Sequence, residues 1–332
     1  MHNTELPLRC VDINSLYCPC LLADTNHCIS CSHLKGEDLC DCNWAGVCIL
    51  YEKQWQSKNK MRQSEDSPIR IEIESKFTIK EKISDNTYWL EMPISQELAE
   101  GLNKIGSFVF LRCPQDPQFY HFPVGVMKIE NNNLQVVIEA VGPKSSRIFQ
   151  EDNNCVLVRG PYYNGVFGQP WIDKIANSKI ILLAGGIGQP PALPIVQKLG
   201  RNQNQVTAIL APGKTGKVFI ERELMEAGIM VTTVTSMRVA GLPLLKKLFQ
   251  SRTTCPDLVV SAGPDELHYG VIAAMQEAGI NLPMAATNNS VMCCGEGICG
   301  SCERETNDHQ LIRTCKVQTD FARFVSDKEL KM

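Results

Sequence analysis

Four cysteines toward the C-terminal end, Cys294, Cys299, Cys302 and Cys315, constrain this chain more than any other feature. The first three follow C-x4-C-x2-C and the fourth comes after twelve intervening residues, which is the ligand spacing of a plant-type [2Fe–2S] centre. Gly295, Gly297, Gly300 and Ser301 fill the gaps, so a tight loop can turn its backbone amides toward sulfur. Structural zinc is the alternative the spacing leaves, although zinc sites favour paired C-x2-C knuckles. Cys293 stands beside the first ligand as a spare.

The other cysteines sharpen this reading. Of sixteen in all, eight fall between Cys10 and Cys48, and only Cys113, Cys155 and Cys255 lie between the two groups. Clustering of this kind favours metal ligation over a disulfide framework. Cys10, Cys18, Cys20, Cys28, Cys31, Cys40, Cys42 and Cys48 therefore read as a second metal-binding module over residues 1–52. It is too short and too poor in apolar periodicity to fold on a core of its own. Its spacings fit no single cluster motif, so iron–sulfur and zinc both stay open. Residues 53–67 are polar and charged, as in a linker. A net charge of −3 excludes an electrostatic case for nucleic acid or an anionic membrane. No run of 18 or more apolar residues and no signal-peptide pattern is present, and the expected compartment is the cytoplasm.

From 68 to 170 the pattern is short alternating runs between polar turns. Ile69–Ile79, Tyr88–Met92, Phe108–Leu111, Phe122–Ile129 and Leu134–Val141 read as strands of a small antiparallel β-barrel, with a turn at Asn131–Asn133. Gly142 to Ser146, including Lys144 and Ser145, reads as the start of a short helix whose free amides could hold a phosphate; a plain cap is the equal alternative. From 171 to 288 strands alternate with helices, the mark of a doubly wound parallel sheet. Its first strand, Lys179–Ala184, runs into Gly185-Gly186-Ile187-Gly188, followed by Gln189 and Pro190 at the head of a helix. Only glycine lets backbone approach a dinucleotide pyrophosphate closely at such a turn. Residues 289–332 carry the cluster ligands.

Barrel, glycine turn and cysteine loop stand in an order more specific than any one of them. Together with Gly160-Pro161-Tyr162-Tyr163-Asn164-Gly165 and Ser261-Ala262-Gly263-Pro264, they make residues 68 to 325 resemble the electron-transfer subunit of B-type dihydroorotate dehydrogenase, in the ferredoxin–NADP⁺ reductase superfamily. Similar small subunits occur in sulfide dehydrogenase and in NADH-dependent ferredoxin:NADP⁺ oxidoreductase, whose large subunits resemble glutamate synthase. The resemblance implies FAD on the barrel, NAD(P)(H) on the α/β domain, and a cluster passing electrons to a partner redox subunit in a hetero-oligomer. It also implies that Gly263 and Pro264 lie near the nicotinamide ring. The alternative is a metal-stabilised assembly subunit without flavin turnover.

Two positions depart from that pattern or qualify it. Where the family carries Arg-Pro-x-Ser/Thr against the flavin, this chain reads His121-Phe122-Pro123-Val124-Gly125. The proline matches, whereas the guanidinium that would fork onto a phosphate is missing, leaving His121 as a partial substitute. After the third strand of the α/β domain, Ser236 and Arg238 occur without an acidic residue, a pattern that suits the 2′-phosphate of NADP more than the free ribose of NAD; a plain exposed surface arginine is the alternative, and NAD and NADP both stay open.

Overall fold

The computed structural model describes residues 6, 8–12, 70–117, 120–150, 154–251, 253–297 and 299–325. Cys18, Cys20, Cys28, Cys31, Cys40, Cys42, Cys48 and the 53–67 linker lie outside the described residues. Of the first module, Arg9–Cys10 (β1) is a two-residue strand.

Eight strands build the first domain: β2 (Ile71–Lys76), β3 (Thr78–Ser84), β4 (Thr87–Pro93), β5 (Phe108–Arg112), β6 (Phe122–Gly125), β7 (Lys128–Glu130), β8 (Asn133–Glu139) and β9 (Cys155–Tyr162). They form two antiparallel sheets, ordered β2-β9-β5-β6 and β3-β4-β8-β7. Inward residues such as Leu90, Val109, Leu111, Val136 and Val158 close a common core between them. Two of the expected strands are each split. The run from Ile69 breaks at buried Phe77, and the run from Phe122 breaks after Gly125. Between β7 and β8, Asn131 and Asn132 have φ of 50° and 60°, the left-handed pair of a tight hairpin turn that asparagine tolerates.

The second domain alternates strands and helices as expected, and its expected first strand is extended by one residue to Gly185. β10 (Val166–Phe167), β11 (Lys179–Gly185), β12 (Gln205–Ala211), β13 (Met230–Thr233), β14 (Leu258–Ala262) and β15 (Met284–Thr287) make one sheet. Its order is β10-β15-β14-β11-β12-β13, parallel except at the β10 edge. The order reverses between β11 and β14, so their carboxyl ends form the switch-point crevice where open α/β sheets bind ligands. Helices Gln189–Arg201, Glu221–Glu226, Leu242–Phe249 and Asp265–Glu277 cover the faces. The first begins Gln189-Pro190-Pro191, where a missing proline N–H costs nothing. The last places Asp265 and Glu266 in its first turn, against the positive end of the helix dipole. Ile105, Met127 and Val137 of the barrel join Ala192, Leu193 and Val196 in one buried cluster, so the two domains share a core.

The C-terminal segment returns across both domains. β16 (Glu303–Glu305) and β17 (Leu311–Arg313) form a hairpin, and β18 (Val317–Gln318) pairs with β1. Asn164, fully buried, ties this segment to the domain junction. Its Nδ2 donates to the carbonyls of Thr314 and Val317 at 2.6 and 2.8 Å, and its Oδ1 accepts from Gln318 Nε2 at 2.8 Å.

Candidate functional site: a cavity backed by a cysteine loop

A cavity of about 930 Å³ runs between the barrel and the α/β domain, within the range of small-molecule and cofactor sites. The barrel contributes Ser107, Phe108, Phe122, Pro123, Val124 and Gly125, and the short helix Pro143–Arg147 contributes Lys144 and Ser145 beside Gly142. Across from them stand Gly188, Pro190, Pro191, Lys198 and Arg201. The chain leading into the cysteine loop supplies Thr287, Asn289, Ser290 and Met292. Of the residues singled out in the sequence, the cavity thus brings together Phe122, Pro123, Val124, Gly142, Lys144, Ser145, Gly188 and Pro190.

The others lie elsewhere, each for a physical reason. His121 is 3 % exposed and is turned away from the cavity. Its Nε2 accepts from Arg112 Nε at 3.1 Å and lies 3.4 Å from a Glu72 carboxylate oxygen, so an arginine–glutamate pair fixes the ring behind the wall; the expectation that His121 substitutes for a flavin-binding arginine is corrected accordingly. Gln189 is also consumed internally: its Oε1 accepts from Phe219 N at 3.0 Å and its Nε2 donates to Lys217 O at 3.1 Å. Ser146 is not at the cavity wall. Gly185 and Gly186 end β11 beside Gly213, and Gly263 and Pro264 end β14. Ser236 caps the turn Met237–Gly241, and Arg238 is exposed. These six surround the carboxyl edge of the sheet, apart from the cavity lining.

The switch-point crevice depends on close backbone contact. A Cβ at Gly188 would lie 2.4 Å from the carbonyl of Ala262 and from Gly263 N. Thr287 Oγ1 then accepts from Gly263 N at 3.1 Å, and Asn289 Nδ2 donates to Gly263 O at 2.6 Å. Behind Thr287 sits His268, with Nδ1 2.7 Å from Ser261 Oγ and Nε2 3.0 Å from Thr287 O. Burial drives its pKa down to about 4, against the pull of Asp265. The neutral ring therefore donates from Nε2 and accepts the Ser261 hydroxyl proton, a tautomer assigned from these partners.

In the cysteine loop, Cys302 and Cys315 are each 2 % exposed, and Cys299 is on the surface. Thiol contacts join Cys315 to both Cys294 and Cys302. Hydrogen bonding from Cys315 holds Cys302 down to about 7 against burial, while Cys315, bonded to Cys294 and Cys302, is pushed up. Glu296 N donates to Cys294 Sγ at 3.3 Å, and Cys299 Sγ lies 3.1 Å from Ser301 Oγ. Gly295 holds φ +68°, and a Cβ there would press on the Phe110 and Tyr162 rings at 2.7 Å. Among the described residues, no three His, Cys, Asp or Glu side chains are placed to hold a single metal ion.

The fold defines the class: a module with the ferredoxin–NADP reductase-like fold, an antiparallel barrel followed by a doubly wound parallel sheet, with a cysteine loop at its end. Consistent with that class, the structure superposes on the NADH-dependent reduced ferredoxin–NADP oxidoreductase with a TM-score of 0.63 at 20% identity, over 77% of this chain and 91% of that one. In sequence the chain is similar to the electron transfer subunits of dihydroorotate dehydrogenase B (NAD⁺). A probable one from Methanopyrus kandleri is 31% identical over 179 residues, 52% of this chain and 64% of that protein. The Streptococcus pneumoniae R6 subunit is 24% identical over 254 residues, 75% of this chain and 95% of the subunit. The match to the Methanopyrus relative thus spans just under two thirds of that relative's length. No family profile matches the chain.

Ser107, Ser290, Met292, Lys198 and Arg201 were not singled out in the sequence. None sits in a motif, and the cavity that unites them is made by packing segments far apart in the chain. The one local signal was the position of Ser290 and Met292 just before the cysteine loop.

Proposed function

We propose that the chain is the electron-transfer subunit of a redox complex, an NAD(P)H-linked iron–sulfur flavoprotein that relays electrons between NAD(P)H, FAD and a [2Fe–2S] cluster, to or from a partner redox subunit. The observation that carries this reading is one apolar cluster. Phe108 and Met292 line the cavity and pack with Phe110 and Tyr162 against Cys302 and Cys315. One dry layer of side chains therefore separates the cavity from two of the proposed cluster ligands.

The residues fit both groups. The cavity has the volume for FAD, and Gly142, Lys144 and Ser145 offer polar contacts for its phosphates. FAD bound there supplies hydride exchange with the nicotinamide and single-electron exchange with the cluster. On the loop, Cys315 contacts both Cys294 and Cys302, and binding the cluster would draw these three closer and turn the exposed Cys299 inward. The Glu296 amide on Cys294 Sγ is the kind of hydrogen bond that tunes a cluster potential. Gly185, Gly186, Gly263 and Pro264 form the NAD(P)(H) edge, with Ser236 and Arg238 placed for a 2′-phosphate. Cys10 and the cysteines up to Cys48 would hold a further iron–sulfur cluster or zinc. The partner is a dihydroorotate dehydrogenase-like or glutamate synthase-like subunit in a cytoplasmic hetero-oligomer. No helix among the described residues is long and apolar enough to cross a membrane.

A second reading, a metal-stabilised assembly subunit that has lost flavin turnover, draws on the Phe122 wall and the withdrawn His121. Anaerobic purification with flavin and iron analysis separates the two. Flavin absorbance bleached by NADH or NADPH, with about two or more irons per chain, supports the relay. Iron without flavin supports the assembly role.

A further inference from the structure

The cavity has two chemically distinct ends. The helix Gln189–Arg201 runs along it, so at 1.5 Å per residue Lys198 and Arg201 lie roughly 15–20 Å from Gly188. Neither makes an ion pair with a described residue, and both face a cavity that also receives Lys144. Glu130 of the adjoining β7 is paired with Lys128 at 2.6 Å and Glu139 is the other acidic residue of the lining, so the excess of Lys144, Lys198 and Arg201 makes this the cationic end. Gly188 instead abuts Gly263, which Asn289 clasps, and Ser290 and Met292 follow directly. Phe108 stands in the same apolar cluster as Met292, with Ser107 beside it in sequence.

At this second end two hydroxyls are buried without partners. Ser107 is 6 % exposed and its Oγ has no hydrogen-bond partner; the Oγ of Ser290 is also shielded and unpaired. Both backbones are held in place. Ser107 O accepts from Val126 N at 3.2 Å, Ser290 N donates to Asn288 Oδ1 at 3.1 Å, and Asn288 Nδ2 donates to the carbonyls of Asn164 and Thr314 at 2.8 and 2.9 Å. Buried hydroxyls are normally paired, and an unpaired one opposes folding. Two such hydroxyls on residues that line one cavity are accounted for by a ligand that supplies the missing partners.

We propose that Ser107 and Ser290 are positioning residues that clamp the polar edge of a flavin ring from opposite walls, placing the ring against Phe108 and Met292 and sending the phosphates toward Lys198 and Arg201. This rests on the flavin reading of the cavity, and it adds an orientation. The uncharged ring with hydrogen-bonding atoms along its edge suits the hydroxyl end, and an anionic dinucleotide tail suits the cationic end. The ring is then separated from Cys302 and Cys315 by one layer of side chains.

The test uses the full chain freed of flavin and compares three probes: FAD, riboflavin, which has the ring without phosphate, and ADP, which has phosphates without the ring. Ser107→Ala and Ser290→Ala are each expected to weaken FAD and riboflavin roughly three- to tenfold, the effect of one hydrogen bond, and to leave ADP unchanged. The thermal midpoint of the flavin-free variants should equal or exceed that of the parent, because the lost hydroxyl had no partner. A Lys198→Ala, Arg201→Ala double variant should show the reverse pattern, weakening FAD and ADP but not riboflavin. Parent-like riboflavin binding by both serine variants overturns the clamp while the flavin reading stands. A lowered flavin-free midpoint together with weaker binding overturns it too, since that is the mark of a structural role. A parent chain that binds neither FAD nor riboflavin overturns the flavin reading and the clamp together.

Discussion

Arg70, at the edge of the barrel, forks onto Glu296, in the middle of the cysteine loop: Nε lies 3.0 Å from Oε1 and Nη2 3.2 Å from Oε2. Asp12 and Lys316 complete the buried part of the group, and the partly exposed Arg159 Nη2 lies 3.7 Å from Glu296 Oε1. Arg70 Nη2 reaches Asp12 Oδ2 at 2.8 Å, Lys316 Nζ reaches Glu296 Oε2 at 3.0 Å, and Lys316 also bonds Asp12. Two cations and two anions are thus buried together, and the Arg70 guanidinium lies 4.4 Å over the Tyr162 ring. Burial alone would raise the pKa of Glu296, but Lys316 and Arg70 overcome it and hold the carboxylate ionised. Because the four come from the N-terminal strand, the barrel, the loop and the segment after Cys315, the network locks four parts of the chain to one point.

Removing one charge from such a group leaves the rest uncompensated in a dry site, which costs more than the intact network contributes. Glu296→Gln is therefore expected to lower stability by about 3 kcal/mol. It should also speed amide hydrogen exchange at residues 8–12 and 316–318, where β1 and β18 pair. Urea unfolding with hydrogen-exchange mass spectrometry reads both. A loss below about 1 kcal/mol, the range of an exposed ion pair, together with unchanged exchange would show that the network does not hold these strands.

Asn164→Ala removes three hydrogen bonds at once and takes a buried donor from the Val317 carbonyl, while the Thr314 carbonyl keeps only Asn288 Nδ2. The expected loss is about 2–4 kcal/mol, since buried acceptors left unpaired carry their full desolvation cost. Limited proteolysis should show new cleavage between Cys302 and Phe321 before the barrel is cut. Simultaneous loss of both domains would instead make Asn164 part of the global core.

Much of the fold was legible because it rests on local periodicity. β11, its glycine turn and the helix from Gln189 follow from an apolar run, a glycine cluster and the Pro190-Pro191 pair that favours a helix start, although Pro194 lies inside the same helix. β9 was missed because Arg159-Gly160-Pro161 interrupts it with residues that disfavour strands, and only its pairing with β2 and β5 makes it one. The cysteine quartet is legible as a motif because its spacing is local, and in the structure Cys315 contacts Cys294 and Cys302 while Cys299 is on the surface. His121 shows the limit. Its position beside Pro123 suggested the cavity, but Arg112 and Glu72, from other strands, decided where the ring points. Ser107 is the same lesson reversed, an ordinary serine given its environment by Ser290 and Met292 on another segment.

The cysteine loop makes a discriminating prediction. Cys302→Ala and Cys315→Ala should abolish the visible iron–sulfur spectrum of that centre, whereas Cys293→Ala, whose exposed thiol stands outside the quartet, should retain it. Iron analysis and low-temperature EPR of dithionite-reduced protein give the readout. An unchanged signal in Cys302→Ala would move the centre elsewhere, to the N-terminal cysteines.

His268 provides a pH signature. Its pKa is about 4 when folded and about 6.5 in an unfolded chain. Between these values the unfolded state binds more protons, so stability falls as pH drops through that window and is fully present above about 6.5. The span corresponds to roughly 3 kcal/mol. Desolvation is the main cause, with Asp265 opposing it and Arg304 reinforcing it. Unfolding in urea at pH 7 and pH 4.5 should show a steeper loss for the parent than for His268→Gln, and equal slopes would mean that the imidazole titrates freely.

Two glycine substitutions twelve residues apart, at Gly188 and Gly200, should act in opposite directions. At Gly188 the backbone is unstrained, but an added Cβ meets the Ala262 carbonyl and Gly263 N at 2.4 Å, and neither can move without separating the carboxyl ends of β11 and β14. Gly188→Ala is expected to cost about 1–3 kcal/mol, as overpacking does, and to weaken nucleotide binding because the crevice itself is widened. Gly200, near the far end of the helix Gln189–Arg201, has nothing within 4 Å of its would-be Cβ. There alanine should stabilise by roughly 0.5–1 kcal/mol through helix propensity alone, with nucleotide affinity unchanged. Melting curves and ADP titrations on the two variants test the pair, and similar effects at both positions would remove close backbone packing as the reason for glycine at the switch point.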